Sequence, residues 1–183
     1  MSEMNHICSE CGANMVKLDV HEDRPDMVGW DKCLECDHKE AYLPEILGGG
    51  YKDIWNSKKR YLMIKGSRGS KKSSIISLRI IYNMMKKPLS NTLVIRRYFN
   101  TNRDSTYAQL KWAINRLGVR EHWKATINPL SLTYLPTGQV IIFRGFDDPQ
   151  SITSITVEKG FIDTVWLEEF FQITDEKEFD KMD

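Results

Sequence analysis

The sequence has 183 residues with a net charge of +1 at pH 7, and its 41% hydrophobic and 28% charged residues indicate a globular rather than a disordered protein. The small net charge gives no bulk electrostatic basis for nucleic-acid binding, so any such contact must come from local patches. No apolar run approaches the ~20 residues of a membrane helix, and the N-terminus lacks the basic and apolar parts of a signal peptide.

Four cysteines lie in the first 36 residues, as two Cys-x-x-Cys pairs separated by 21 residues: Cys8 with Cys11, and Cys33 with Cys36. Without a signal peptide a reducing cytosol is the default setting, so thiolate ligands are expected rather than disulfides. Two such turns direct four thiolates at one tetrahedral Zn²⁺, and metal binding supplies the folding energy that a small polar segment lacks. We therefore predict a zinc-ribbon-like module with four cysteine ligands over residues 1–44. A redox dithiol and a chance pair of pairs are the alternatives.

Beyond the cysteines the sequence changes from turn-rich to alternating apolar and polar. PEILGGGY (44–51) contains a proline and three successive glycines and is predicted to be a linker or boundary loop. The short apolar run YLMIK (61–65) is predicted to be a buried strand. A helix is predicted further on, because Ile76, Ile80 and Met84 recur at four-residue spacing before a proline ends the pattern.

The segment between this strand and this helix, GSRGSKKS, has the pattern of a phosphate-binding loop. Such a loop aims backbone N–H groups and a helix N-terminus at phosphates, while Lys72 would contact the β- and γ-phosphates and Ser73 would bind Mg²⁺. One position departs from the pattern, because Lys71 stands where a glycine is expected and a side chain restricts the backbone. A solvated loop is the alternative. The predicted nucleotide-binding residues are Gly66, Ser67, Arg68, Gly69, Ser70, Lys71, Lys72 and Ser73.

Strand and helix patterns continue to alternate and predict an α/β domain with a largely parallel sheet. TLVIRR (92–97) is a strand candidate, and the next helix is predicted to be capped by Asp104 and Ser105 and ended by Gly118. Residues 131–145 predict a hairpin around a Pro-Thr-Gly turn. The apolar stripe of the predicted helix is Tyr107, Leu110, Ile114 and Leu117.

The run FIDTVWLEEF (161–170) predicts a buried strand that ends in Glu168 and Glu169, and a further helix is predicted from Thr174. An ATP-hydrolysing protein with a phosphate-binding loop needs an acidic residue at the end of a second strand to hold Mg²⁺. In the additional-strand class a neighbouring glutamate polarises the attacking water. Ligands bind at the carboxyl ends of such strands, where both glutamates would emerge. An exposed Glu-Glu pair that opens a helix is the alternative.

Four stretches of the sequence together resemble the large terminase subunits of tailed phages, particularly the PBSX-type branch. The resemblance extends from about Gly48 to Asp183, nearly all of the chain beyond the cysteines. It implies a P-loop NTPase of the additional-strand class in which a lysine at the position of Lys71 is tolerated. It further implies an ATP-hydrolysing motor that drives double-stranded DNA into a procapsid. The stretches are IWNSKKRYLMIKGSRGSKKSS, TLVIRRYFNTNRDSTYAQLKWAINRLGV, YLPTGQVIIFRGFDDPQSITSI and VWLEEFFQIT.

The resemblance also implies a role for each matching residue. Lys72 and Ser73 would bind phosphate and Mg²⁺, and Arg68 would sense or stabilise the γ-phosphate. Glu168 would be the acidic residue on the metal side, and Glu169 would be the catalytic carboxylate. The implied cofactors are ATP and Mg²⁺, in addition to the Zn²⁺ predicted from the cysteines.

The implied partners are double-stranded DNA, a small terminase subunit, a portal protein and further copies of the chain in a ring, with no membrane. The implied location is the host cytoplasm, on the assembling procapsid. The family's coupling motif and its RNase H-like nuclease are not found in the sequence. The chain is therefore expected to be a fragment whose ATPase domain, residues 45–183, is incomplete and by itself weakly active or inactive.

Two other functions stay open at this point. One is a zinc-bearing helicase-like or DNA-repair P-loop ATPase, and the other is a binding module that turns over nothing. A cluster of basic residues could contact DNA phosphates or the nucleotide of a neighbouring subunit, with a solvated charged face as the alternative. These basic residues are Arg96, Arg97, Arg103, Lys111 and Arg116.

Overall fold

The structure, a computed structural model, describes residues 15–18, 30–33, 39–41, 49–67 and 69–172. These residues divide into two compact units. The first unit comprises the described parts of residues 1–71 together with residues 116–118. The second unit comprises residues 72–115 and 119–172.

The first unit contains a three-stranded antiparallel sheet in the order β1-β2-β3. Met15, the first residue of β1, lies opposite Cys33, the last residue of β2. The chain before β1 and the connection after β2 therefore leave the sheet at the same end. Of the predicted zinc ligands, Cys33 is described through its backbone alone, and Cys8, Cys11 and Cys36 lie outside the described residues. The strands are β1 Met15–Leu18, β2 Trp30–Cys33 and β3 Lys39–Ala41.

The rest of the first unit differs from two of the sequence predictions. Gly49–Tyr51, the end of the segment predicted to be a linker or boundary loop, form a 3-10 helix, and α1, Lys52–Asn56, follows it directly. The predicted strand at 61–65 is wrong, because this segment has no regular secondary structure and Met63 is 85% exposed. A strand exists only if its backbone groups pair with a neighbour, and no strand among the described residues pairs with this run.

The second unit is built on a five-stranded sheet in the order β5-β6-β7-β4-β8. β4 runs parallel to both β7 and β8. β6 is antiparallel to β7 and β5 is antiparallel to β6, so the sheet is mixed rather than largely parallel. The predicted hairpin is confirmed as β6 and β7, and Gly138 in its turn has a left-handed φ of +80°. The strands are β4 Ser90–Arg96, β5 Trp123–Ile127, β6 Leu130–Tyr134, β7 Gln139–Gly145 and β8 Phe161–Leu167.

The α-helices of this unit are α2 Lys72–Lys86, α3 Ala108–Arg116, whose last residue is assigned to the first unit, and α4 Pro149–Thr153. The helix predicted after the loop is confirmed as α2, and two positions of its predicted stripe, Ile80 and Met84, are buried, but the third is not. Ile75, Leu78 and Ile81 are fully buried, whereas Ile76 is only half-buried. Isoleucines occupy both positions 75 and 76, so apolar spacing alone did not determine which one faces the sheet.

The predicted cap of α3 is wrong, because helical turns begin earlier. A 3-10 turn at Phe99–Asn102 and a π turn at Arg103–Tyr107 precede α3 without interruption. The Ser105 hydroxyl is therefore within the helical run, where it donates to the Thr101 carbonyl. The predicted end is confirmed, because Gly118 has a φ of +67°. The predicted stripe is buried at all four positions, Tyr107, Leu110, Ile114 and Leu117.

Apolar side chains cover both faces of the second unit's sheet, because successive strand residues point to opposite faces. On one face the Tyr107 ring meets fully buried Phe143 edge-on, with 5.5 Å between ring centroids. Burial raises the pKa of the Tyr107 phenol above 10.0, and the charge of Arg103 acts in the opposite direction. On the other face Leu93, Ile95 and Phe146 form a cluster against which Ile152 of α4 and Leu167 of β8 pack.

Among the helices of the described residues, none has the length and apolar character that a membrane crossing requires.

Two buried amides fix the start of β4. Asn91, which is fully buried, donates to the Lys159 carbonyl at 2.7 Å and accepts from the Val140 N–H at 2.8 Å. Gln139 donates to the carbonyls of Lys87 and Ser90 at 2.8 and 2.6 Å. Because unpaired buried amides are costly, these contacts hold β4, β7 and the turn before β8 in one arrangement.

Gly160 in that turn has no room for a side chain. Its φ is +74°, and a Cβ would overlap the Leu89 carbonyl. We expect Gly160→Ala to lower the free energy of unfolding by about 3 kcal/mol, because the left-handed backbone and the backbone collision add. Gly138→Ala is the control, since its φ is also positive but its nearest neighbour is the flexible Lys159 side chain at 3.6 Å. It should cost about 1 kcal/mol. If urea unfolding shows that both variants lose the same free energy of unfolding, the predicted collision with the Leu89 carbonyl is wrong.

Candidate nucleotide and metal site

The glycine-rich loop is held by short-range hydrogen bonds within the first unit. Gly69 has a φ of +81°, and the Ser70 N–H and hydroxyl both donate to the Ser67 carbonyl, at 3.2 and 2.7 Å. The Tyr51 phenol donates to the Ser70 carbonyl. Arg68 lies outside the described residues. The contact from Tyr51 was not predicted, because no spacing rule links a tyrosine to a carbonyl 19 residues away.

Lys71 has a φ of +53°, in the left-handed region that favours glycine. This is the position where the loop pattern expects a glycine, so the backbone keeps the glycine-like conformation although the residue is a lysine. A non-glycine residue in this conformation costs about 1–2 kcal/mol. Lys72, which follows, is the first residue of α2 and is half-buried.

Ser73 and Glu168 are brought together although 95 residues separate them in the chain. Ser73 lies in the first turn of α2, and Glu168 directly follows β8. The Ser73 Oγ donates to the Glu168 Oε1 at 2.8 Å. A hydroxyl and a carboxylate are oxygen ligands of the kind that Mg²⁺ prefers, usually with one or two carboxylates and the phosphates of a substrate. The donor set therefore fits a magnesium ion shared with a phosphate ligand.

The second carboxylate oxygen of Glu168 also has a partner. Trp166, two residues earlier on β8, donates from its indole Nε1 to Glu168 Oε2 at 3.0 Å. Its side chain is buried, with 4% exposed. Both oxygens of Glu168 thus accept hydrogen bonds from side chains of the same unit. Sequence reasoning missed Trp166, because an apolar strand ending in acidic residues is recognised from its hydrophobicity and not from its donors.

Glu169 is held by a different set of residues. Arg96, at the end of β4, forms a salt bridge with the Glu169 carboxylate, and Gln172 donates to the same oxygen at 2.9 Å. The guanidinium also donates to the Thr101 carbonyl at 3.1 Å and to the Ser105 hydroxyl at 2.7 Å. Arg96 was interpreted from the sequence as one of several residues that could contact DNA phosphates. In the structure its guanidinium pairs with Glu169.

Glu169 also has a strained backbone, with a φ of +55°. A left-handed conformation in a non-glycine residue costs about 1–3 kcal/mol and is often found at functional sites. The conformation turns the chain directly after β8, so that Glu168 and Glu169 contact different partners. No group of three or more His, Cys, Asp or Glu side chains that could hold a metal occurs within the described part of the chain.

Comparisons with known proteins identify the family. Residues 58–182 match the family model described as phage terminase large subunit. The terminase large subunit of Bacillus phage SPP1 is 41% identical over 145 residues, which cover 76% of this chain and 34% of that protein. The PBSX phage terminase large subunit of Bacillus subtilis strain 168 is 32% identical over 120 residues, which cover 66% of this chain and 26% of that protein.

The chain thus spans about a third of the first relative and about a quarter of the second. Both relatives bear the same family name, and their alignments cover 76% and 66% of this chain. The family model covers more than half of the chain, including the loop, Ser73 and both glutamates. The chain therefore belongs to the phage terminase large subunit family.

Proposed function

We propose that this chain contains the ATP-hydrolysing part of a motor that packages double-stranded DNA into a phage procapsid. The observation that carries the proposal is the 2.8 Å hydrogen bond between Ser73 and Glu168, at the start of α2 and the end of β8. In ATPases with a phosphate-binding loop, these two positions bind Mg²⁺ beside the nucleotide phosphates. The DNA-packaging context comes from the terminase names of the two relatives.

Each residue then has a chemical task. When bound, Mg²⁺ neutralises charge on the β- and γ-phosphates. Ser73 and Glu168 hold the ion through their oxygens, and Lys72 contacts the phosphates. The loop residues 66–71 keep the phosphate-binding role that the sequence pattern predicts, and Arg68 keeps the role of sensing or stabilising the γ-phosphate that the resemblance implies. This set binds and orients the nucleotide but does not by itself activate water.

Glu169 is the proposed base. Its carboxylate orients the attacking water and accepts its proton. Arg96 and Gln172 both contact one oxygen of this carboxylate, Oε2, so the other oxygen is the one through which water is proposed to bind. The salt bridge with Arg96 keeps the carboxylate at the carboxyl end of β8, which is where ligands bind in sheets of this kind.

The proposal includes the domain organisation and partners inferred from the resemblance. Residues 45–183 are assigned to a P-loop ATPase domain of the additional-strand class, and residues 1–44 to a zinc-binding module. The assigned partners are double-stranded DNA, a small terminase subunit, a portal protein and other copies of the chain in a ring. The assigned location is the host cytoplasm, at the assembling procapsid. The helicase-like and DNA-repair alternatives are not favoured, since both relatives carry the terminase name.

We further propose one structural Zn²⁺ bound by Cys8, Cys11, Cys33 and Cys36. The spacing of the two pairs supports it. The register of the small sheet also supports it, because Met15 pairs with Cys33. The chain preceding β1, which contains the first pair, and the β2–β3 connection, which contains Cys36, therefore leave from the same end of the sheet.

The first test of the nucleotide site compares two adjacent lysines. We expect Lys72→Ala to abolish binding of a fluorescent ATP analogue, because it removes the charge that contacts the phosphates. Lys71→Gly is the matched control and should bind like the parent, because glycine adopts the φ of +53° without strain. If Lys71→Ala abolishes binding while Lys72→Ala does not, the register of the loop is wrong by one residue.

The second test separates the roles of the two glutamates. Glu169→Gln should leave ATP binding near normal and lower turnover by roughly 100-fold or more, as expected for loss of a general base. Glu168→Gln should in addition weaken Mg²⁺-dependent binding. Single-turnover hydrolysis and equilibrium binding measure the two effects. Equal and mild effects of both changes would contradict the assigned roles, and no hydrolysis by the parent protein would favour a binding module.

The third test concerns zinc. Elemental analysis of the purified chain should give one Zn²⁺ per chain. A strong chelator should make residues 1–40 susceptible to protease and leave the rest largely resistant, because metal binding supplies on the order of 10 kcal/mol in small zinc domains. Cys33→Ser should act like the chelator. A metal content near zero, or a protease pattern that chelation does not change, would contradict the site.

A further inference from the structure

Glu168 is held at both of its carboxylate oxygens. Ser73 donates to Oε1 at 2.8 Å, and the indole of Trp166 donates to Oε2 at 3.0 Å. The proposed function accounts for the first contact, because Ser73 and Glu168 are both proposed to bind Mg²⁺. It does not account for the second, because Trp166 is neither a metal ligand nor in the phosphate loop.

The position of Trp166 is well defined by the sheet. It lies opposite Val94 of the neighbouring strand β4, and it is 4% exposed while Val94 is fully buried. A large ring packed in this way has little freedom to change rotamer. The indole N–H is a donor only, so when it is buried it needs a fixed acceptor. The Glu168 carboxylate is that acceptor.

Burial alone does not give an indole a partner in this chain. Trp123, at the far side of the same sheet, is also buried, with 8% exposed, and its ring packs against Tyr134 at 5.2 Å between centroids. Its Nε1 has no hydrogen-bond partner among the described residues. The contact from Trp166 to Glu168 is therefore a specific feature of this strand end.

We propose that Trp166 is a positioning residue that orients the Glu168 carboxylate and thereby sets the Mg²⁺ affinity of the site. Glutamate has one more rotatable bond than aspartate, so a glutamate ligand loses more side-chain entropy when it is fixed on a metal. A donor on the second oxygen removes part of that freedom before the metal binds. Outer partners of this kind typically change metal affinity by roughly 10–100-fold. This inference rests on the proposed function.

The direct test replaces the indole by a ring without a donor. In Trp166→Phe, the Mg²⁺ concentration that half-saturates binding of a fluorescent ATP analogue should rise by roughly ten-fold. At saturating MgCl₂, the affinity for the analogue should stay near that of the parent chain, whereas a general packing defect would lower it. Trp123→Phe is the matched control, because it removes a buried indole whose N–H makes no hydrogen bond to any residue that the structure describes, and its Mg²⁺ requirement should be unchanged.

A second measurement does not depend on the phenylalanine variant folding. Glu168→Ala leaves Trp166 in place but removes its acceptor, so the indole N–H proton resonance of Trp166 should move upfield. In the parent chain, the same resonance should shift when MgCl₂ and the ATP analogue are added together. In a Glu168→Ala background, Trp166→Phe should add no further change in the Mg²⁺ requirement, because the carboxylate that it positions is absent.

The outcomes separate this inference from the proposed function. If the parent chain binds the analogue with no dependence on Mg²⁺, the proposed site is wrong and the inference is overturned with it. If the parent depends on Mg²⁺ and Trp166→Phe has the same requirement, only the inference is overturned. The inference is also overturned if the Mg²⁺ requirement rises equally in Trp166→Phe and Trp123→Phe. It is overturned as well if Glu168→Ala does not move the indole N–H resonance of Trp166.

Discussion

The hydrogen bond between Ser73 and Glu168 joins the first turn of α2 to the end of β8, and the proposed chemistry depends on it. Its geometry follows from the parallel pairing of β4 and β8. The register sets Leu167 opposite Ile95, and the Glu168 N–H donates to the Ile95 carbonyl at 3.0 Å. The carboxylate therefore emerges one residue after the strand, at the edge where the helix begins. A shift of one residue in this register would turn the side chain to the other face.

β4 lies between β7 and β8, so the residues at its end are neighbours of the two glutamates that follow β8. Arg96 at its end holds Glu169 on one side and the helical turns at Thr101 and Ser105 on the other. The arrangement has a cost, since Arg96 Nε is buried with no hydrogen-bond partner among the described residues. Glu169 adds a left-handed backbone. Strain and an unmet donor are thus concentrated at the carboxyl end of the sheet, where ligands bind in folds of this kind.

Several elements could be predicted from local pattern, because the chemistry that specifies them is local. The hairpin of β6 and β7 follows from a turn between two apolar runs, and Gly118 ends its helix because only glycine is unstrained there. The segment at 61–65 shows the limit of such reasoning. It has the composition of a strand, but a strand also requires a neighbour, and nothing in five residues specifies one. Likewise, α2 was predicted correctly as a helix, but the choice between Ile75 and Ile76 depended on where the sheet lies.

The sequence by itself determined the family, and it predicted the two glutamates and the lysine and serine of the loop as site residues. It also showed the position at which the loop departs from its pattern. These are properties of residue type and spacing, which are visible along the chain. Only the tertiary structure decided how the carboxylates are held: Glu168 between Ser73 and Trp166, and Glu169 against Arg96 and Gln172. Two of these partners, Ser73 and Arg96, are distant in sequence, and a strand pattern does not show which donors its final carboxylates meet. Those contacts exist because parallel pairing brings the ends of β4 and β8 to one edge.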